Sequence, residues 1–228
     1  MDTERPLREV LQRINSAPLV TAAQRKVSGL PYSFSTKSFT EQLAIWGKIW
    51  KDGTIWAQVH AFFFLERHMK NNNELKQMWP AIVKWQDEVD SWGLCDALAK
   101  IYTKILVVMP GEVYAQLKRW NKDPNLWKRR QSVVSLLYYS RTQEQHLPYE
   151  KIVPLIDELI SDKEHFVQKG VGWALRELRT AYPRQAASYL ARNARSLTSI
   201  AFAIAVEKLS DAERSRLKDL RKRESMRD

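Results

Sequence analysis

The sequence predicts an all-α fold, a solenoid of stacked antiparallel helical hairpins. Apolar residues recur at spacings of three and four along most of the 228 residues, and the interruptions are short proline, asparagine or glycine signals. Seven glycines are few for tight hairpins or nucleotide-binding loops, while nine tryptophans, eight tyrosines and seven phenylalanines supply a core that disordered chains lack.

The periodicity places helices at 3–16, 39–51, 53–69, 72–84, 89–108, 111–121, 124–140, 148–160, 163–181, 183–192, 196–208 and 210–225. Between the first two, Ala17 to Lys37 is the least helical stretch; Pro18, Gly29, Pro31 and a serine-threonine cluster make it read as a flexible connection. Pro110, Pro124, Pro148 and Pro183 suit first helical turns, where a missing N–H costs nothing. Ser161 and Asp162 are candidate caps for the helix at 163. Connections of two to six residues make neighbouring helices antiparallel, and repeated pairing without a strand gives the stacked array. The pairs 111–140 and 148–181 resemble each other in the spacing of a tryptophan-plus-basic cluster, although no strict period emerges. We read one domain over 1–228, with a divergent segment at 1–38 and a basic tail at 212–228.

Net charge is +11, and residues 118–228 hold +9 of it, with 23 basic and 14 acidic side chains. That bias suits a polyanion, nucleic acid or a lipid surface, as well as a merely soluble basic face. The lone Cys95 forms no intramolecular disulfide, and the start MDTERPLREV lacks a secretory pattern. Apolar runs such as AFFFL are too short to span a bilayer, so a cytoplasmic protein without membrane contact is expected.

Two helical faces break the pattern. On a wheel of the 163–181 segment, Val167, Val171, Ala174 and Leu178 form the core stripe, and Trp173 lies about 130° away between Lys169 and Arg176. In 91–108, Leu94, Leu98, Ile101, Ile105 and Val108 form the stripe, with Trp92 and Asp96 opposite it and four residues apart. Either tryptophan is equally compatible with packing against a neighbouring helix, since solenoid helices have two packed sides. Arg130 falls near its own helix's apolar stripe, which reads as a packed arginine or as a phosphate clamp assisted by Lys128 and Arg129. The four histidines lack metal-ligand spacing, Cys95 has no obvious histidine partner, and GxGxxG, P-loop and GxSxG motifs are absent.

At these residues the chain resembles the AlkD family of DNA alkylation-repair glycosylases, which are built from HEAT-like repeats. FVQKGVGWALREL, Phe166 to Leu178, is similar to that family's F-x-Q-K-A-x-G-W-x-L-R-E segment; SWGLCD at 91–96 and NLWKRR at 125–130 follow two further motifs in the same order. The resemblance covers about residues 40 to 210. It implies a monomer acting without metal or cofactor on duplex DNA, hydrolysing the glycosidic bond of cationic N3- or N7-alkylated purines to leave an abasic site. It casts Asp96 as the catalytic carboxylate, Trp92 and Trp173 as a cradle for the lesion's sugar, and Arg130 as a DNA contact. Lys128, Arg129, Lys169 and Arg176 are further candidate DNA contacts from their charge and placement. Gly93 departs from an aspartate found in many relatives, and the family's amino-terminal helices look shortened or replaced around 17–37. Two other readings stay open: a non-catalytic DNA-binding or damage-sensing solenoid, and a helical scaffold for an acidic protein.

Overall fold

The computed structural model describes residues 4–143 and 145–222, and every regular element among them is helical. The chain divides into two compact units, Met1–Met109 and Pro110–Asp228.

The first unit holds α1 (Glu4–Asn15), α2 (Thr21–Ser28), α3 (Phe39–Asp52), α4 (Ile55–Arg67), α5 (Asn72–Trp85), a 3-10 turn at Gln86–Glu88 and α6 (Trp92–Val108). Several starts are written in the sequence. Ser38 and Glu41 close a reciprocal capping box on α3, the Asn71 side chain accepts from the Asn73 and Glu74 amides, and Ser91 accepts from Leu94. Helices pair with their next and next-but-one neighbours, α3 with α4 and α5, and α4 with α6, which is the contact pattern of a helical-repeat stack. The core is aromatic: Trp46 packs edge-on against Tyr32 and Phe34, and Trp50 stacks on Trp85 at 5.0 Å. Gly47 permits this, because a Cβ there would lie 3.0 Å from the Trp85 indole nitrogen.

The stretch from Ala17 to Lys37 is not a flexible connection. It contains α2 and is tied down by side chains that periodicity does not weigh. The Gln24 amide donates to the carbonyls of Ile14, Ala17 and Pro18 at 2.9, 3.1 and 3.2 Å. Its oxygen accepts from the buried His60 Nε2 at 2.7 Å, and the Tyr32 hydroxyl donates to His60 Nδ1 at 2.9 Å. Arg13 lies 4.1 Å over the Tyr32 ring and caps the Pro31 carbonyl, while Glu66 on α4 pairs with Arg25 and Lys100.

The second unit holds α7 (Pro110–Trp120), α8 (Leu126–Val134), a 3-10 turn at Ser140–Thr142, α9 (Tyr149–Glu158), α10 (His165–Ala181), α11 (Pro183–Asn193), α12 (Ser199–Ala205) and α13 (Asp211–Lys222). Helix α10 is its centre, packed on α8, α9, α11 and α12. Pro110 and Pro183 open α7 and α11, but Pro148 is the cap of α9 and Pro124 stands before the Asn125 cap of α8. Expected boundaries shift at several helices, and at two of them the cause is visible. The helix expected over 124–140 stops at Val134, because a turn centred on Tyr139 is pulled out by α10. The helix expected from 163 starts at His165, and Asp162 instead accepts the Glu164 amide in the preceding turn. The last three residues of the helix expected over 210–225, and the end of the tail from 223, lie outside the described residues.

Candidate functional site

In the first unit, the candidate residues lie at the amino terminus of α6. The stripe expected to face the core does so, with Leu94, Leu98, Ile101 and Ile105 buried, though Val108 is only partly covered. Ser91 fixes where the helix starts, so Trp92 becomes its first residue and points away from that stripe, 59% exposed. Asp96 follows one turn later on the same face and is half-buried. Exposed Asp87, Glu88 and Asp90 precede them, and no lysine or arginine lies between 87 and 96. An open indole face among carboxylates favours a positively charged group and repels a phosphate. At Gly93, between them, a Cβ would meet nothing within 4 Å, so no packing reason accounts for the missing side chain. Cys95 is fully buried on the core side, out of reach of any substrate.

In the second unit, the α10 segment separates into scaffold and surface. Gln168 is buried; its amide donates to the Leu159 and Asp162 carbonyls at 2.9 and 2.7 Å, and its oxygen accepts from Thr198 at 2.8 Å. Gly172 lets α12 come close, since a Cβ would sit 2.6 Å from the Ala201 carbonyl oxygen. Glu177 is buried and accepts from the Ser140 amide and hydroxyl at 3.0 and 2.9 Å. Arg176 pairs with Glu207 at 2.5 Å. What this scaffold leaves toward solvent is Lys169, exposed with its ammonium 5.6 Å over the Phe166 ring, and the half-buried Trp173 one turn later.

Trp173 packs on two tyrosines that helical periodicity passes over, Tyr138 at 5.4 Å and Tyr139 at 6.2 Å, the latter edge-on. Their only sequence signal is the adjacent pair before a polar run, which a helix through 140 absorbs.

The expected DNA-contacting cations divide unevenly. Arg130 is 6% exposed and donates to the Phe166 carbonyl at 2.9 Å, joining α8 to α10 past Gly170, whose Cβ would lie 3.2 Å from the arginine stem. Arg129 pairs with Asp162 at 2.7 Å and donates to the Asp123 and Pro124 carbonyls. Lys128 lies 3.6 Å from Asp123. Most of this charge is therefore spent inside the fold, and Lys169 is the member of the set that stands open.

The sequence matches the family of DNA alkylation repair enzymes over residues 20–209. The chain belongs to that family. Membership gives it a part in DNA alkylation repair, and so DNA as its partner. Among solved structures, it is similar to AlkD2 from Streptococcus mutans, with 16% identity, a TM-score of 0.58 and coverage of 98% of this chain and 99% of that one. It is also similar to a predicted DNA alkylation repair enzyme from Enterococcus faecalis, with 15% identity, a TM-score of 0.65 and coverage of 91% and 96%. At these identities the likeness shows the shared helical-repeat fold. No curated protein matches the sequence at a significant level. Among the described residues, no helix is long and apolar enough to cross a membrane.

Proposed function

We propose that this family member is a DNA glycosylase that hydrolyses the N-glycosidic bond of cationic N3- or N7-alkylated purines in duplex DNA. The observation that carries the reading is Trp92, an indole left 59% exposed at the start of α6 with Asp96 one turn behind it in an acidic neighbourhood. Leaving so large an apolar surface in water forgoes burial worth about 2 kcal/mol, which a ligand can recover. Asp96 supplies a fixed anion for the oxocarbenium-like charge that develops on the sugar as the bond breaks, and orients the attacking water. A cationic purine leaves as a neutral base and needs little acid assistance, which fits a site without a histidine partner. Trp92 holds the sugar beside Asp96, and Trp173 offers DNA an aromatic face of its own in the second unit. Lys169 meets phosphate, with Lys128, Arg129, Arg130 and Arg176 contributing mainly by shaping the elements that bear it.

The test is release of free alkylated base from methylated duplex DNA in metal-free buffer. The intact chain releases base, and Asp96→Asn slows release by about 100-fold or more with DNA affinity retained. Release undiminished in that variant removes Asp96 from the chemistry. A second reading, DNA binding without excision, is favoured by one observation, the open side-chain space at Gly93 beside Trp92, where the resemblance leads one to expect an aspartate. Tight binding with no release from the intact chain selects it.

A further inference from the structure

We propose that Glu66 is a positioning residue for the proposed reaction: it holds the Lys100 ammonium on its own carboxylate instead of on Asp96, a role that rests on the reading of Asp96 given above. Trp92, Asp96 and Lys100 follow one another at intervals of four along one face of α6. An acidic residue with a lysine four positions after it is the orientation in which helical ion pairs form most readily. Left to its own helix, Lys100 would therefore turn back to Asp96. The fold gives it another partner. Its ammonium donates to Oε1 of Glu66 on α4, while Oε2 of the same carboxylate accepts from Arg25 on α2.

The competition favours Glu66. Its side chain is 14% exposed, so its ion pairs are screened less than a pair on the open surface of a helix. Burial opposes its charge, but the hydrogen bonds from Arg25 and Lys100 outweigh that and hold its carboxyl below the usual range. Arg25 is fixed in turn, its guanidinium 4.3 Å over the Phe63 ring. The consequence lies at Asp96. A carboxylate that faces developing positive charge on a sugar loses effect when an ammonium pairs with it, because the cation cancels its field and repels the same charge. Glu66 thus protects the chemistry without touching the substrate, and α2 takes part through Arg25.

The experiment is a double-mutant cycle in the full chain, with Glu66→Gln, Lys100→Met and the two combined. Each is read for single-turnover release of alkylated base from methylated duplex DNA, and for DNA affinity by fluorescence anisotropy. Glu66→Gln keeps the side-chain shape, removes the charge that holds Lys100, and slows release about tenfold. In the Lys100→Met background the same substitution has no effect on release. DNA affinity does not fall with the rate, since the change removes a negative charge. A loss caused by damage to the fold persists in the double variant, which lacks the same bonds, and overturns the proposal. Undiminished release in Glu66→Gln overturns it too, as does a loss of affinity that tracks the loss of rate. Asp96→Asn, measured in parallel, keeps the two readings apart. Release that depends on Asp96 but shows no coupling between Glu66 and Lys100 leaves the glycosylase standing and removes the positioning role. Release that is absent from the intact chain, or undiminished in Asp96→Asn, overturns both.

Discussion

Two glycines, Gly93 and Gly172, look alike in a string of letters and do opposite things. At Gly172 the missing Cβ is required by the backbone of α12, 2.6 Å from where it would sit. Gly172→Ala is expected to cost about 2 kcal/mol or more in urea unfolding, because neither helix backbone can give way cheaply. Gly93 lies in open space near the amino end of α6, so Gly93→Asp is expected to leave stability unchanged or raise it by about 0.5 kcal/mol through the helix dipole. A large loss in that variant would show that the position is crowded after all. The same contrast governs the arginines. Arg130 is open to two readings from its place near an apolar stripe, and its 6% exposure and bond to Phe166 give it a packing role. Sequence periodicity locates the residue correctly but carries no information about which carbonyl lies opposite it.

The turn between α8 and α9 is where an element was decided by another element. Leu136 and Leu137 continue an apolar pattern that a helix through 140 satisfies, yet the chain leaves the helix after Val134 because Ser140 bonds to Glu177, 37 residues away. Removing that carboxylate in Glu177→Ala leaves the buried Ser140 amide without its acceptor, while the hydroxyl keeps the Glu177 backbone carbonyl at 3.2 Å. We expect a loss of about 2 kcal/mol by denaturant titration, together with faster proteolytic cleavage between 138 and 143. Unchanged cleavage would mean that the bonds of Thr142, Gln143 and His146 suffice to hold the turn. The amino-terminal segment makes the same point in reverse. Pro18, Gly29 and Pro31 signal a break truthfully, but a buried glutamine, histidine and tyrosine turn the broken stretch into fixed structure.

Across the molecule, that buried network ties stability to pH. The Gln24 oxygen can only accept, so His60 donates through Nε2, receives the Tyr32 proton at Nδ1, and is satisfied as the neutral ring. Burial, with smaller contributions from Arg67 and Arg13, lowers its pKa to about 4. Between about pH 4 and 6.5 the unfolded chain therefore binds the proton that the folded one refuses. The stabilisation is complete above 6.5 and fades as pH falls toward 4. Unfolding free energy at about pH 5 should lie about 2 kcal/mol below that at about pH 7, and His60→Gln should remove most of the difference; an equal slope in the variant would place the proton uptake elsewhere. Charge at this scale also changed meaning on folding. Much of the basic excess of residues 118–228 is consumed internally, as where Arg221 caps the Ala194 and Leu197 carbonyls and Arg179 pairs with Glu213, holding that carboxyl down at about 2. By itself the sequence determined the all-helical class, the core stripes of α6 and α10, the departure of Trp92 from its stripe and the motifs that mark the family. These are local properties, set by a 3.6-residue period and by short-range caps. Tertiary structure alone decided which cations remain open, that α8 ends early, that residues 17–37 are ordered and that Lys100 turns to Glu66. Each of those depends on a partner tens of residues distant, and spacing along a chain does not encode what folding brings opposite it.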